Sequence, residues 1–254
     1  MQGQFNDRLI FNGHDLSELV MCRFERPIMP QNVNTTQEIG GRHGAIFRNN
    51  RLGTRIQPVT MWLRTEKRRE VSNLRHRLAK LLYTDEPAPL VLPDEPELYY
   101  LAILDGDTNL GEIVNDKLPV ATVNFLICDP IAYGREVEKS ITGGVDLTVN
   151  SGGTWQSYPY FTGIPYQNSL GELYVSCEYE NGDVKTVRAT ADGNDIDYFS
   201  RVRTYYFDME NERLFDSTGK EYGVTLESDF FMLDGTCTIS GNVTGAIKWR
   251  ERWL

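Results

Sequence analysis

The feature that most limits how this chain can fold is a recurring alternation of apolar and polar residues over short runs. In TRIQPVTMWLRT, residues 54–65, the side chains of Val59, Met61 and Leu63 fall on one side of an extended chain, which is the period of a half-buried β-strand. Further β-rich runs such as YYLAIL, LPVATVNFLIC and GELYVSCEYE follow, and turn-forming clusters such as NSGG, ENGD and DSTG lie among the runs of the second half. The chain is therefore predicted to be mainly β.

One segment has helical periodicity instead. In TEKRREVSNLRHRLAKLLYTDEP, apolar side chains recur every three or four residues, at Val71, Leu74, Leu78, Leu81 and Leu82, as in a helix that packs one face on a core. Thr65 is the predicted N-cap, Glu66 suits the first turn, and Pro87 ends the helix. The other face is basic and is either a solvated surface or a face presented to a partner subunit; its members are Arg68, Arg69, Arg75, Arg77 and Lys80.

A change in charge balance divides the chain near ICDPIAYGREVEKSITGG, which closes the last strand-like run of the first half. Residues 137–254 carry 18 acidic against 10 basic residues and hold most of the formal net charge of −10. We predict two domains. Residues 1–136 form an α+β domain with a β-sandwich and one helix, and residues 137–254 form an all-β sandwich.

The composition argues against several functional classes. A chain this acidic repels a polyphosphate backbone, so general nucleic-acid binding is not expected. No apolar run approaches the roughly 20 residues that span a bilayer, and the start shows no secretory signal, so no membrane partner is expected. The cysteines are far apart without a C-x-x-C pair and are expected to be buried thiols; they are Cys22, Cys128, Cys177 and Cys237.

The stretch EIGGRHGAIFRNNRLGTRI, residues 38–56, concentrates four glycines and four arginines. It lacks the spacing of a phosphate-binding loop, since Gly41 and Gly44 are too close and no Lys-Ser/Thr pair follows. We expect a turn or arm between strands, in which glycines supply unusual backbone angles. Its arginines either keep an exposed segment solvated or pair with carboxylates of another subunit. The candidate subunit-interface residues are Arg42, Arg48, Arg51 and Arg55.

No catalytic, cofactor or metal site is predicted. The only histidines are His14, His43 and His76, so residues 137–254 contain no histidine for a nucleophilic dyad or a metal site. DGNDID, residues 192–197, departs from the calcium-loop pattern and is expected to be an acidic loop. An aromatic group suits core packing or, alternatively, stacking on sugars; it comprises Trp155, Tyr158, Tyr160, Phe161 and Tyr166.

The order of these stretches resembles the distal tail protein (Dit) family of long, non-contractile-tailed bacteriophages. In the first half the resemblance lies in RLIFNGHDLSEL, the glycine–arginine stretch with its following strand, the helix, APLVLPDEPELYYLAILDG and VATVNFLICDPIAYG. In the second half it lies in YYFDMENERLFDSTG, SDFFMLDGTCTISGN and IKWRERWL. The order and the total length carry the resemblance, which covers nearly the whole chain.

The resemblance implies a hexameric ring formed by the N-terminal domains, with C-terminal domains outside it that are galectin-like or carbohydrate-binding-module-like β-sandwiches. The ring would join the tail tube to the tail tip or baseplate and leave a channel for the tape-measure protein and DNA, which passes without specific binding. Implied partners are other copies, the major tail tube protein, a tail-tip hub protein or tail-associated lysin, the tape-measure protein, and receptor-binding or baseplate proteins. The implied location is the distal end of the virion tail, after assembly in the host cytoplasm.

One departure from the family concerns sugar binding. Galectin-type sugar sites use a histidine, and none follows His76, so the second domain is expected to lack that binding chemistry. The resemblance implies a structural protein rather than an enzyme. Two alternatives stay open. One is a carbohydrate-binding tail or baseplate protein that contacts the host cell wall, and the other is a tail-associated hydrolase with two converging carboxylates.

Overall fold

The computed structural model describes residues 8–65, 69–107, 119–167, 171–191 and 199–254. Strands predominate in these residues and one helix is present among them, so the predicted mainly β class is confirmed. The chain separates into two compact units, one of Met1–Tyr133 with Leu254 and one of Gly134–Trp253. This division lies beside the boundary at 136/137 that the sequence suggested.

The first unit is built on one antiparallel sheet and a separate strand pair. Its strands are β1 (Ile10–Phe11), β2 (His14–Asp15), β3 (Val20–Phe24), β4 (Asn32–Glu38), β5 (Ala45–Leu52), β6 (Arg55–Leu63), β7 (Ala88–Val91), β8 (Tyr100–Asp105) and β9 (Val120–Ile127). Seven of them form a sheet in the order β2-β1-β7-β8-β9-β6-β3, and β4 and β5 form a separate two-stranded sheet.

The buried face of the seven-stranded sheet follows the alternation in the sequence. On β6 the side chains of Val59, Met61 and Leu63 are buried, as predicted. The aromatic rings of Phe11 and Phe125 meet in the same core with centroids 5.1 Å apart. Burial of large apolar side chains of this kind stabilises a fold by about 1.5–3 kcal/mol each relative to exposure.

The single helix of the described residues, α1 (Glu70–Leu82), follows β6 and buries Leu78 and Leu82. The prediction of one helix here is confirmed, but the predicted N-cap is wrong, because the helix begins after Arg69 and no side chain caps it. Glu70 places a carboxylate in the first turn, where its negative charge interacts favourably with the positive end of the helix dipole. Glu66 and Arg68 lie outside the described residues.

The second unit contains two antiparallel sheets. Its strands are β10 (Ala132–Ile141), β11 (Leu147–Asn150), β12 (Tyr160–Pro165), β13 (Glu172–Tyr179), β14 (Val184–Thr190), β15 (Tyr205–Asp208), β16 (Arg213–Asp216), β17 (Thr236–Gly241) and β18 (Val243–Trp253). One sheet has the order β10-β18-β12-β15-β16 and the other has the order β11-β17-β13-β14.

Both sheets of the second unit contribute side chains to one core, which makes this unit a β-sandwich. Phe161 from the five-stranded sheet lies against Phe207 and Phe231, with ring centroids 6.3 and 5.9 Å away. Cys177 and Ile239 of the four-stranded sheet belong to the same buried cluster. Edge-on aromatic contacts of this kind add about 0.5–1.5 kcal/mol beyond the area they bury.

Candidate assembly surface

The glycine–arginine stretch forms most of a hairpin that has no core of its own. Strands β4 and β5 pair antiparallel from Asn32 opposite Leu52 to Glu38 opposite Ala45, and neither strand joins the seven-stranded sheet. Nearly every residue of the hairpin is exposed. An isolated two-stranded hairpin is at best marginally stable in water. We call residues 31–53 the arm.

The turn of the arm requires glycine at two positions. Gly41 and Gly44 have φ angles of +79° and +80°, and a Cβ at either would meet open space. The backbone angle, rather than close packing, therefore explains these glycines. The backbone N–H of Arg42 donates to the carbonyl of Ile39 at 3.2 Å, which closes the turn and leaves the Arg42 and His43 side chains exposed.

A bulge bends the arm near its middle. The register shifts between Thr35 and Thr36, so Arg48 is the extra residue on β5. The Arg48 guanidinium donates from Nε to the Gln37 side-chain carbonyl at 2.8 Å and also donates from Nη2 to the same oxygen. This contact fixes Arg48 along the arm without neutralising its charge.

The outer part of the arm combines exposed apolar side chains with cations. Phe47 is 61% exposed and Ile39 is 43% exposed. Arg42 and Arg51 are exposed, and within the described part of the chain neither forms an ion pair. Exposed aromatic side chains next to arginine are typical of protein interfaces.

Arg55 is placed differently from the other three predicted interface residues. It is the first residue of β6 and is only 7% exposed. Its Nη2 donates to the Gln57 side-chain carbonyl at 2.6 Å, and its guanidinium lies 5.2 Å from the centre of the Tyr100 ring. Burial lowers the pKa of Arg55 and raises the pKa of Tyr100. Arg55 is therefore packed into the first unit, whereas Arg42, Arg48 and Arg51 lie on the exposed arm.

The arm also contains features that the sequence did not point out. Strand β4, with the sequence NVNTTQE, was not predicted, and the exposed Phe47 and Ile39 were not singled out as contact residues. Phe47 and Ile39 could have been identified from the sequence, because they are large apolar residues in a segment otherwise rich in glycine, arginine and asparagine.

The histidines and other potential metal ligands do not form a site in the described residues. The histidines lie exposed on three separate elements: His14 on β2, His43 in the arm and His76 on α1. No group of three or more potential metal ligands occurs within the described residues. The acidic stretch at 192–197 lies outside them.

Three members of the aromatic group in the second unit, Tyr158, Tyr160 and Phe161, have packing partners within that unit. Phe161 is buried in the core, and Tyr160 packs beside Tyr206 with ring centroids 6.2 Å apart. The Arg252 guanidinium covers the Tyr158 ring at 5.4 Å. These contacts are those of core packing and cross-strand pairing.

The cysteines are only partly as expected. None of the four forms a disulfide; Cys177 and Cys237 are buried, whereas Cys128 is exposed and Cys22 is half-buried. The expectation of burial is therefore wrong for Cys128, which follows the last inward-facing residue of β9. Of the helices in the described residues, none is long and apolar enough to cross a membrane.

Comparisons with known proteins bear on both units. Residues 12–127 match the family model of the phage tail protein RIFT-related domain. The structure resembles the SPP1 Dit protein, described as a paradigm of the hub adsorption apparatus in phages that infect Gram-positive bacteria. The two share 19% identity with a TM-score of 0.78, and the alignment covers 97% of this chain and 99% of that one.

A chain of the phage P2 baseplate in its activated conformation aligns with 9% identity and a TM-score of 0.48, over 92% of this chain and 90% of that chain. No curated protein sequence matches. The resemblance drawn from the sequence is confirmed by the family match and by the likeness to SPP1 Dit, which extends over nearly the whole fold.

Proposed function

We propose that this chain, which carries a phage tail protein RIFT-related domain over residues 12–127, is a structural subunit at the distal end of a long bacteriophage tail. Six copies form a ring that joins the tail tube to the tail tip or baseplate. The ring leaves a channel for the tape-measure protein and DNA. The family match and the Dit-like fold support a structural role in the tail, and no catalytic step is assigned to the chain.

The feature of the structure that best supports a ring is the exposed surface of the arm. It places two large apolar side chains, Phe47 and Ile39, and two cations without ion pairs in the described chain, Arg42 and Arg51, in solvent. Docking on a neighbouring copy would bury the apolar side chains and pair the guanidinium groups with carboxylates. Arg55 is buried against Tyr100 and is not part of this proposed contact.

The two parts of the chain have different proposed roles. Residues 1–136 form the ring, and residues 137–254 project outward as a galectin-like domain. The tail tube protein, a tail-tip hub protein or lysin, and baseplate or receptor-binding proteins are the proposed partners in the virion. The sugar-binding alternative is the weaker proposal, because Phe161 is buried in the core and the Arg252 guanidinium covers the Tyr158 ring.

Purified protein tests the ring directly. Negative-stain microscopy and light scattering are expected to show a particle of about 170 kDa with a central hole, built from six copies of a 29.0 kDa chain. The doubly substituted variant Arg42→Glu with Arg51→Glu, and separately Phe47→Ser, should weaken assembly while leaving each copy folded.

The matched control carries the same change of charge on the second unit, at Lys185→Glu with Arg201→Glu, and should assemble like the parent. Rings that form equally well with both arm variants would show that the arm is only a loop. A chain that stays monomeric at high concentration, even with tube and hub proteins added, would overturn the ring itself.

A further inference from the structure

The exposed face of α1 carries a group of cations. Its members are Arg69, Arg75, Arg77 and Lys80, all exposed, and none forms an ion pair with a residue in the described ranges. By contrast, Arg26 in the same unit binds the carboxylates of Asp94 and Glu95. A solvated basic helix face is common by itself, so a second feature is needed to indicate a ligand.

That feature is an apolar cavity beside the helix. The cavity has a volume of about 280 Å³ and lies between α1 and the seven-stranded sheet. Leu78 and Leu82 of the helix line one side, and Leu104 and Val123 of the sheet line the other, with Arg75 also in its wall. A ligand that fits this site has an apolar group beside a negative charge, because Arg75 lies in the wall of an otherwise apolar cavity.

An element of that chemistry occurs in the same unit, in residues 94–97, which we call the acidic corner. Its sequence is Asp-Glu-Pro-Glu, and Pro96 is exposed between carboxylates. Two backbone hydrogen bonds of 3.1 Å, involving Glu95, hold the corner as a turn. Arg26 is the one cation bound to it in the described chain, so negative charge remains in excess.

Strand directions place the helix and the acidic corner at opposite ends of the sheet. Neighbouring strands in the series β7-β8-β9-β6 are antiparallel, so β6 ends where β7 begins. The helix α1 joins those two points, whereas the acidic corner follows the far end of β7. One copy therefore cannot bring its own corner to its own helix without dismantling the sheet.

We propose that α1 and its cavity bind the acidic corner of a second copy of this chain. Carboxylates of the corner pair with the cations of α1, and Pro96 enters the apolar cavity. The inference rests on the proposed ring and adds a second, independent contact to that of the arm. Two different, complementary surfaces on one subunit are what a head-to-tail interface requires, and such interfaces close into rings.

A charge swap tests the pairing. Arg75→Glu with Arg77→Glu reverses the helix, and Asp94→Lys with Glu97→Lys reverses the corner. Like charges then face each other in either variant, and each is expected to raise the concentration for half-maximal assembly by about tenfold or more. The chain that carries all four substitutions keeps the parent net charge and is expected to regain most of the lost assembly. Light scattering over a dilution series measures all three, and circular dichroism checks that each is folded.

The outcomes separate this inference from the ring. If the ring forms and the arm variants weaken it, but the helix variant assembles like the parent, the ring stands and the helix contact is wrong. If both single reversals weaken assembly and the combined chain shows no recovery, the helix and the corner do not pair with each other. If the helix variant assembles normally but no longer joins purified tube or hub protein, α1 faces another protein and the proposal is overturned.

Discussion

Replacing Asp216 by asparagine is expected to destabilise the second unit by about 2 kcal/mol at neutral pH. Asp216 ends β16 and is 1% exposed. Its carboxylate accepts hydrogen bonds from the backbone N–H groups of Thr218 and Lys220 at 2.8 and 3.2 Å. It also accepts from the Tyr222 hydroxyl at 2.9 Å and the Arg203 guanidinium at 3.2 Å.

The magnitude follows from the pKa of Asp216. Burial alone would raise it, but the hydrogen bonds from Thr218, then from Tyr222 and Lys220, outweigh burial and lower the pKa from 3.8 to about 2. Each unit of difference between the folded and unfolded states corresponds to about 1.4 kcal/mol. Because the folded pKa is the lower one, this stabilisation is present above about pH 4 and is lost as the pH falls toward 2.

Urea unfolding of the full chain measures the effect. A Trp62→Phe background leaves tryptophans only in the second unit, at Trp155, Trp249 and Trp253, so fluorescence follows that unit. Asp216→Asn should lower the free energy of unfolding by about 2 kcal/mol at neutral pH and by about half as much near pH 3.

The control is Asp146→Asn at an exposed aspartate, which should change the free energy of unfolding by less than about 0.5 kcal/mol. An equal loss from Asp216→Asn at both pH values would refute the reasoning, since it would show that the charge of the carboxylate is irrelevant. A negligible loss at neutral pH would refute it as well.

Gly153→Ala should cost more than about 3 kcal/mol of unfolding free energy, because Gly153 has φ +71° and a Cβ would lie 2.0 Å from a backbone carbonyl oxygen of β18. Gly182→Ala, at φ +84° with open space around it, should cost only about 1 kcal/mol, and equal losses in urea unfolding would contradict this. Cys128 should react with iodoacetamide at least about tenfold faster than Cys177 and Cys237, because both of these are buried and burial raises the pKa of the Cys177 thiol. Mass spectrometry of the labelled peptides measures the rates, and similar rates would disprove it.

The sequence predicts a strand well when one face of that strand is buried. It does not predict a strand whose two faces are both exposed. Strand β6 has apolar residues at every second position near its end, because Val59 and Leu63 face a core. Strand β4 has the sequence NVNTTQE with both faces largely exposed, so burial imposes no alternation on it. The arm is therefore visible only through its glycines and arginines, and its hairpin geometry is not.

The position of Arg55 illustrates a limit of a different kind. The four arginines of residues 42–55 look equivalent in sequence, yet Arg55 is buried against Tyr100. The alternation on β6 does indicate that Arg55 is buried. Arg55 and Gln57 lie four and two residues before Val59, so their side chains face the same, inward side of the strand. The ring that receives the guanidinium belongs to β8 and is distant along the chain, which no local pattern reveals.

The strength of the proposed ring depends on how its contacts add. An exposed ion pair contributes about 0–1 kcal/mol, so one pair at one interface would hardly be measurable. In a closed ring of six, a loss of about 1 kcal/mol at each interface becomes about 6 kcal/mol for the ring. Charge reversal on the arm or on α1 should therefore change assembly strongly while each copy unfolds almost as before.

The dependence of ring assembly on salt concentration distinguishes the proposed charge contacts from the proposed burial of Phe47. The screening length falls from about 8 Å at physiological ionic strength to about 3 Å in molar salt, so the parent ring and the charge variants should become alike there. Burial of Phe47 is not screened, so Phe47→Ser should remain weaker than the parent at every salt concentration. If Phe47→Ser instead matches the parent in high salt, the arm contributes by charge alone, and its exposed aromatic side chain does not enter the interface.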